Sequence, residues 1–99
     1  TELYMAPEQL QKAEYGAEVD WWALGALVWE MCTGANPFYH SNRKVMHNNI
    51  LKKKLVLPSW LHASVHSFLK ALLSRDPAKR LGTAGGAVEV KGHAFFKGF

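Results

Sequence analysis

The sequence predicts an all-α domain arranged around one central buried helix, and three observations carry that expectation. Residues 19–32, VDWWALGALVWEMC, are apolar almost all the way round a helical wheel, interrupted only by Asp20, Gly25 and Glu30. A helix wetted on one face shows a polar stripe every three to four residues, and this one does not. Downstream, Val65, Phe68, Leu69, Leu72 and Leu73 recur at the spacing of a further, amphipathic helix. No two segments alternate in the way a strand pair requires.

The central helix is expected over residues 17–33, enclosed by the rest of the chain. Gly16 precedes an acidic first turn, Glu18 and Asp20, while Gly34 and Pro37 follow the last one. A membrane span takes about 18 or more apolar residues with few charges. This run is shorter and holds two carboxylates. A carboxylate at the mouth of an apolar helix is costly unless it is hydrogen-bonded or paired. Two readings of Asp20 follow, a first-turn acid in a wet spot or an anchor that accepts backbone N–H groups from a neighbouring loop.

In chain order, TELYMAPE is extended or looping, because Pro7 disfavours helix at Ala6 and fixes its own φ. A short helix over residues 8–12, with Pro7 at its start, leads into the central one. Beyond Gly34, ANPFYHSN is loop, with Phe38 and Tyr39 tucked under the end of the central helix. Ser41 or Asn42 caps a helix over residues 43–53 with Val45, Met46, Ile50 and Leu51 on its packed face. LVLPSW turns at Pro58, and the amphipathic helix covers residues 62–73, ending before Asp76-Pro77. Pro77 opens a one-turn helix to Arg80, residues 82–86 form a loop, a short helix covers 88–91, and HAFFKGF brings three phenylalanines that need a pocket.

Ninety-nine residues make one domain at most, and 48% hydrophobic content supplies its core. The chain starts at Thr1 without a leader or apolar secretory segment and is expected to be a piece of something longer. Its single cysteine, Cys32, excludes an internal disulfide and suits a reducing compartment, cytoplasmic or nuclear. Part of the net charge of +4 comes from Lys52, Lys53 and Lys54. Without interleaved aromatics they suit a solvated helix end rather than nucleic acid.

His62 and His66 have metal-ligand spacing but lack the intervening glutamate of a zinc hydrolase, and are expected to be surface histidines. GTAGG follows no strand and precedes no Gly-Lys-Ser/Thr, so it is a loop rather than a phosphate cradle. Three landmarks rise above this background: APE at residues 6–8, DWWALG at 20–25 and RDPAKRLG at 75–82.

Together and in this order, they resemble the lower half of the C-terminal lobe of a protein kinase, where A-P-E closes the activation segment. DWW, the NRK of residues 42–44, LPSWL and HAFF narrow the resemblance to the AGC group of serine/threonine kinases. It covers essentially all of residues 1–99, which would form a partial kinase domain from which the ATP-binding lobe and catalytic loop are absent.

The resemblance implies roles for individual residues. Glu8 would pair with Arg80 and tie the activation segment to the helices beyond the central one. Asp20 would hold the backbone of the catalytic loop. Thr1 would contact the catalytic aspartate and lysine and favour a serine or threonine acceptor. Tyr4 and Met5 would floor the peptide-docking edge. Glu30 would bind an arginine of the substrate, implying protein or peptide partners with upstream Arg or Lys. Two positions depart from the family pattern, Leu3 where many relatives carry glutamate and Glu2 where an apolar residue or proline is common.

The glycine-rich loop, strand lysine, catalytic-loop aspartate and asparagine, and DFG metal ligand of a kinase do not occur in these residues. ATP and magnesium are therefore expected to be bound by the full-length parent and not by this fragment. The alternative is a non-catalytic helical interaction module or a pseudokinase remnant.

Overall fold

Helix boundaries follow local chemistry throughout the computed structural model, which describes residues 2–97. A 3-10 turn at Glu2–Tyr4 precedes α1 (Pro7–Leu10), α2 (Glu18–Thr33), α3 (Arg43–Lys52), α4 (Ala63–Leu72) and α5 (Gly86–Lys91), and a second 3-10 turn, Ala94–Phe96, follows. The described residues contain no strand. Pro7 starts α1, with the Gln9 side chain accepting the Ala6 N–H at 2.9 Å. Asn42 caps α3, its side-chain oxygen accepting the N–H groups of Lys44 and Val45. His62 is the cap of α4 rather than its first residue, Nδ1 accepting the Ser64 N–H at 3.0 Å.

Gly34 ends α2 in the left-handed region, with φ of 84° and its N–H donating to the Glu30 carbonyl. Gly25 serves close approach instead. A Cβ at that position would stand 2.9 Å from both Leu72 Cβ and Leu73 Cδ2, so the absent side chain lets α4 lie directly against α2.

The core lies on that side of α2. Trp22, Ala26 and Trp29 pack with Ala6, Phe38, Ile50, Leu69 and Leu73, and the Trp22 and Phe38 rings stack at 5.3 Å. A second cluster joins Phe68 and Leu72 of α4 to Val90 of α5 and to the closing aromatics. Phe95 stacks face-on against Phe68 at 4.5 Å, and Phe96 meets it edge-on at 5.4 Å.

Several sequence expectations need correction. α2 is not enclosed: Trp22, Gly25, Ala26 and Trp29 are buried, while Leu27 is 43% and Met31 75% exposed. The α-helices among the described residues reach one flank of it, and on the opposite flank Tyr4 of the first 3-10 turn stands beside an open groove over Ala23, Leu24 and Leu27. Tyr39 is 63% exposed although Phe38 beside it is fully buried. Val45 also lies outside the packed face of α3, which consists of Met46 and Ile50. Residues 77–80 form turns instead of a helix, with the Asp76 carboxylate accepting the Ala78 N–H at 3.0 Å. α5 begins at Gly86, before the expected start at Val88.

Candidate functional site

The 3-10 turn Glu2–Tyr4 lies against α2, and side chains from distant parts of the chain meet there and at α1. Tyr4, in the first 3-10 turn, donates its hydroxyl to Glu30 Oε2 at 2.8 Å, near the far end of α2. Accepting that hydrogen bond, the Glu30 carboxylate raises the Tyr4 phenol above its usual pKa of 10.0. Glu30 itself is half-buried and has no basic side chain within ion-pair distance among the described residues. Met5 is half-buried at the end of the same turn, its N–H donating to the Glu2 carbonyl. Tyr4 also lines a groove of about 500 Å³ with Asp20, Ala23, Leu24 and Leu27 on the open flank of α2.

Asp20 is exposed at the lip of this groove, so it carries no desolvation cost within these residues. Thr1 lies outside the described residues. Glu8 and Arg80 meet deep in the fold, 4% and 1% exposed respectively. Arg80 Nη1 donates to Glu8 Oε2 at 2.7 Å and Nη2 to Oε1 at 2.9 Å, a parallel fork. The same guanidinium donates to the Ser74 and Glu18 carbonyls and lies 5.3 Å from the Trp22 ring centroid.

Two arrangements were not anticipated from the sequence. Arg75 reaches the C-terminal end of α3, donating to the carbonyls of Asn49, Ile50 and Lys53. The Asn49 carbonyl also takes the Lys53 N–H, whereas those of Ile50 and Lys53 lie where a helix end lacks intrahelical donors. Burial lowers the pKa of Arg75 below its usual value. The sequence signal for this contact is only the need for donors at that end, where Lys52, Lys53 and Lys54 are competing candidates. The second is at the chain start, where Arg43 of α3 clasps Glu2 through Nε and Nη2 and His47 Nε2 stands 3.3 Å from the same carboxylate. Hydrogen bonding to Arg43 lowers the Glu2 pKa to about 2. The departure at Glu2 was visible in the sequence, but its partner 41 residues away was not.

No three His, Cys, Asp or Glu side chains among the described residues are grouped to hold a metal ion. Glu89 Oε1 accepts the N–H groups of Gly82 and Gly85, so a carboxylate of the chain itself fills the glycine loop. His66 is half-buried, with Nε2 2.8 Å from the Pro58 carbonyl.

The sequence model of the protein kinase domain matches residues 1–96. The chain belongs to the protein kinase family. A Dictyostelium discoideum protein named as a probable serine/threonine-protein kinase is 47% identical to this kinase chain over 94 residues, covering 95% of the chain and 20% of that protein. Protein kinase C of Drosophila melanogaster is 43% identical over 93 residues, 94% of the chain and 13% of that protein. Protein kinase C eta type of Mus musculus is 44% identical over 96 residues, 95% of the chain and 14% of that protein. The chain thus spans a fifth or less of the length of these kinases, and its helices fit the helical C-terminal lobe of the family.

Proposed function

We propose that this chain is the substrate-docking and scaffold portion of a serine/threonine protein kinase that transfers the γ-phosphoryl of ATP to proteins near basic residues. The observation that carries the proposal is Glu30. Its half-buried carboxylate is held by the Tyr4 hydroxyl and meets no cation among the described residues. A carboxylate withdrawn from water gains from a guanidinium that brings both charge and paired donors. An arginine upstream of the acceptor would supply one, with Tyr4 and Met5 flooring the peptide and Glu8, Arg80 and Asp20 holding the surrounding frame.

In this reading ATP and magnesium are held by the rest of the parent protein. The glycine loop is filled by Glu89, whose carboxylate takes the Gly82 and Gly85 N–H groups a phosphate would need. Phosphoryl transfer depends on residues that position the phosphates and neutralise their charge, and in this proposal they belong to another part of the kinase domain. What this part contributes is orientation of the acceptor peptide.

The test is steady-state kinetics of the complete protein with Glu30→Gln, on peptides with and without an arginine upstream of the acceptor. The expected outcome is a KM at least ~10-fold higher for the arginine peptide, equivalent to about 1.4 kcal/mol of lost binding, with little change for the other. A wild-type preference for acidic or proline-directed peptides would refute the proposal. The second reading, an interaction module or pseudokinase remnant, draws on the open flank of α2 with Leu27 and Met31. Catalytic silence of the complete protein, together with a soluble, folded and monomeric isolated chain, would favour it.

A further inference from the structure

We infer that Arg43 and Glu2 form a positioning clasp for peptide docking, an inference that rests on the substrate-docking role proposed above. The turn Glu2–Tyr4 is fixed at both ends by long-range contacts. At one end the Glu2 carboxylate takes two donors from Arg43 of α3, with His47, one helical turn further on, 3.3 Å away. At the other end the Tyr4 hydroxyl reaches Glu30 of α2. A three-residue turn has little stiffness of its own, because one or two internal hydrogen bonds hold it. The orientation of the Tyr4 ring, and so the placing of the Glu30 carboxylate, therefore depends on both anchors.

Geometry makes the clasp specific. Two donors of a planar guanidinium on two oxygens of one carboxylate fix angle as well as distance. The Arg43 side chain is 72% exposed and that of Glu2 35%, so water and salt screen the pair and little of its effect falls on overall stability. The paired charges of Glu2 and Arg43 cancel, so what the clasp contributes is the fixed geometry of the turn. A lysine cannot replace Arg43 in this, since an ammonium lacks the paired fork.

The experiment compares Arg43→Ala, Glu2→Arg and the charge-swapped double variant Glu2→Arg/Arg43→Glu in the complete protein. The expected result is a KM for an arginine-containing peptide raised about 3- to 10-fold in each single variant, a loss of positioning, with kcat and the KM for ATP unchanged. The double variant should return to within about twofold of wild type. A readout independent of turnover is amide hydrogen exchange at Met5, whose N–H donates to the Glu2 carbonyl. It should speed up in Arg43→Ala, while the amide of Leu73 in the core keeps its protection.

Unchanged Met5 exchange overturns the clasp, as does a peptide KM unmoved by Arg43→Ala in a protein where Glu30→Gln raises it. If Glu30→Gln also has no effect, the docking role of Glu30 fails first and the clasp is overturned as a docking device with it.

Discussion

Arg80 and Glu8, 72 residues apart, face each other through two parallel N–H···O contacts of 2.9 Å or less with almost no exposure to water. Two charges withdrawn from water are unfavourable unless every donor and acceptor is used. Here two further Arg80 N–H groups donate to the Ser74 and Glu18 carbonyls. Arg80→Ala is expected to destabilise the kinase domain by about 3–5 kcal/mol, because it strands a buried carboxylate. Arg80→Lys should lose more than ~1 kcal/mol, since an ammonium cannot reach both oxygens and both carbonyls. Urea denaturation of the complete protein measures both, and an unshifted midpoint for Arg80→Ala would show the pair to be structurally idle.

Tyr4→Phe removes the donor to Glu30 while keeping the ring. The phenol pKa is raised in the folded state, so the stability it contributes is full below 10.0 and is lost as pH climbs through the higher folded value. Stability of the wild type should therefore fall more steeply than that of Tyr4→Phe at alkaline pH. Parallel curves for the two proteins in pH-dependent thermal melts would contradict the hydrogen bond.

Glu2 titrates in the opposite sense. Its folded pKa of about 2 lies below the ordinary 4.5, so the stabilisation by Arg43 is present above 4.5 and disappears as pH falls towards 2. An NMR titration of the Glu2 side chain should give a midpoint near 2 in the wild type. In Arg43→Ala the midpoint should move back towards the ordinary carboxylate range. The same midpoint in both proteins would mean that some other group holds the charge.

Arg75→Ala leaves the carbonyls of Asn49, Ile50 and Lys53 without this donor. The expected cost is about 1–3 kcal/mol, with fraying confined to the last turn of α3. Amide exchange should quicken at Lys53, whose N–H closes that helix on the Asn49 carbonyl, and stay slow at Leu73 in α4's closing bond. Uniform change along the domain would point to a general loss of packing instead.

For Gly25→Ala two effects compete. Alanine is the better helix former by about 1 kcal/mol, but its Cβ would sit 2.9 Å from Leu72 Cβ, an atom that cannot swing aside without moving α4. Overpacking of this kind costs about 1–3 kcal/mol. The net expectation is a lower melting temperature for Gly25→Ala, and a higher one would show that the α2–α4 contact yields easily.

Local signals made the helices legible. Pro7, Asn42 and Gly34 act within one turn of themselves, and the apolar spacing of residues 65–73 is likewise a short-range pattern. α2 was legible as a helix but not in its surroundings, because an all-round apolar sequence states that neighbours are needed without saying that these residues provide them. Residues 77–80 read as helix from Pro77, whereas Asp76 spends its carboxylate on a turn and Arg80 is drawn inward to Glu8. The start of α5 was set by Glu89 folding back onto Gly82 and Gly85. Of the candidate site, the family resemblance named Thr1, Tyr4, Met5, Glu8, Asp20, Glu30 and Arg80. The contacts of Arg75 with α3 and of Arg43 with Glu2 depend on long-range choice of partner, which one-dimensional spacing does not encode.

The separation of Glu8 and Arg80 also sets an order of events during synthesis. The chain grows from its N-terminal end, so Glu8 leaves the ribosome 72 residues ahead of the only ion-pair partner the described structure gives it. At about 5–20 residues per second, that interval is roughly 4–14 s. Through it the segment from Pro7 to α2 has its carboxylate without its cation, while Ile50, Leu69 and Leu73 reach its tryptophans one after another before Arg80 is made. The docking edge is made first and locked last, so a nascent chain stalled before residue 80 would present the Glu8 segment to chaperones and proteases.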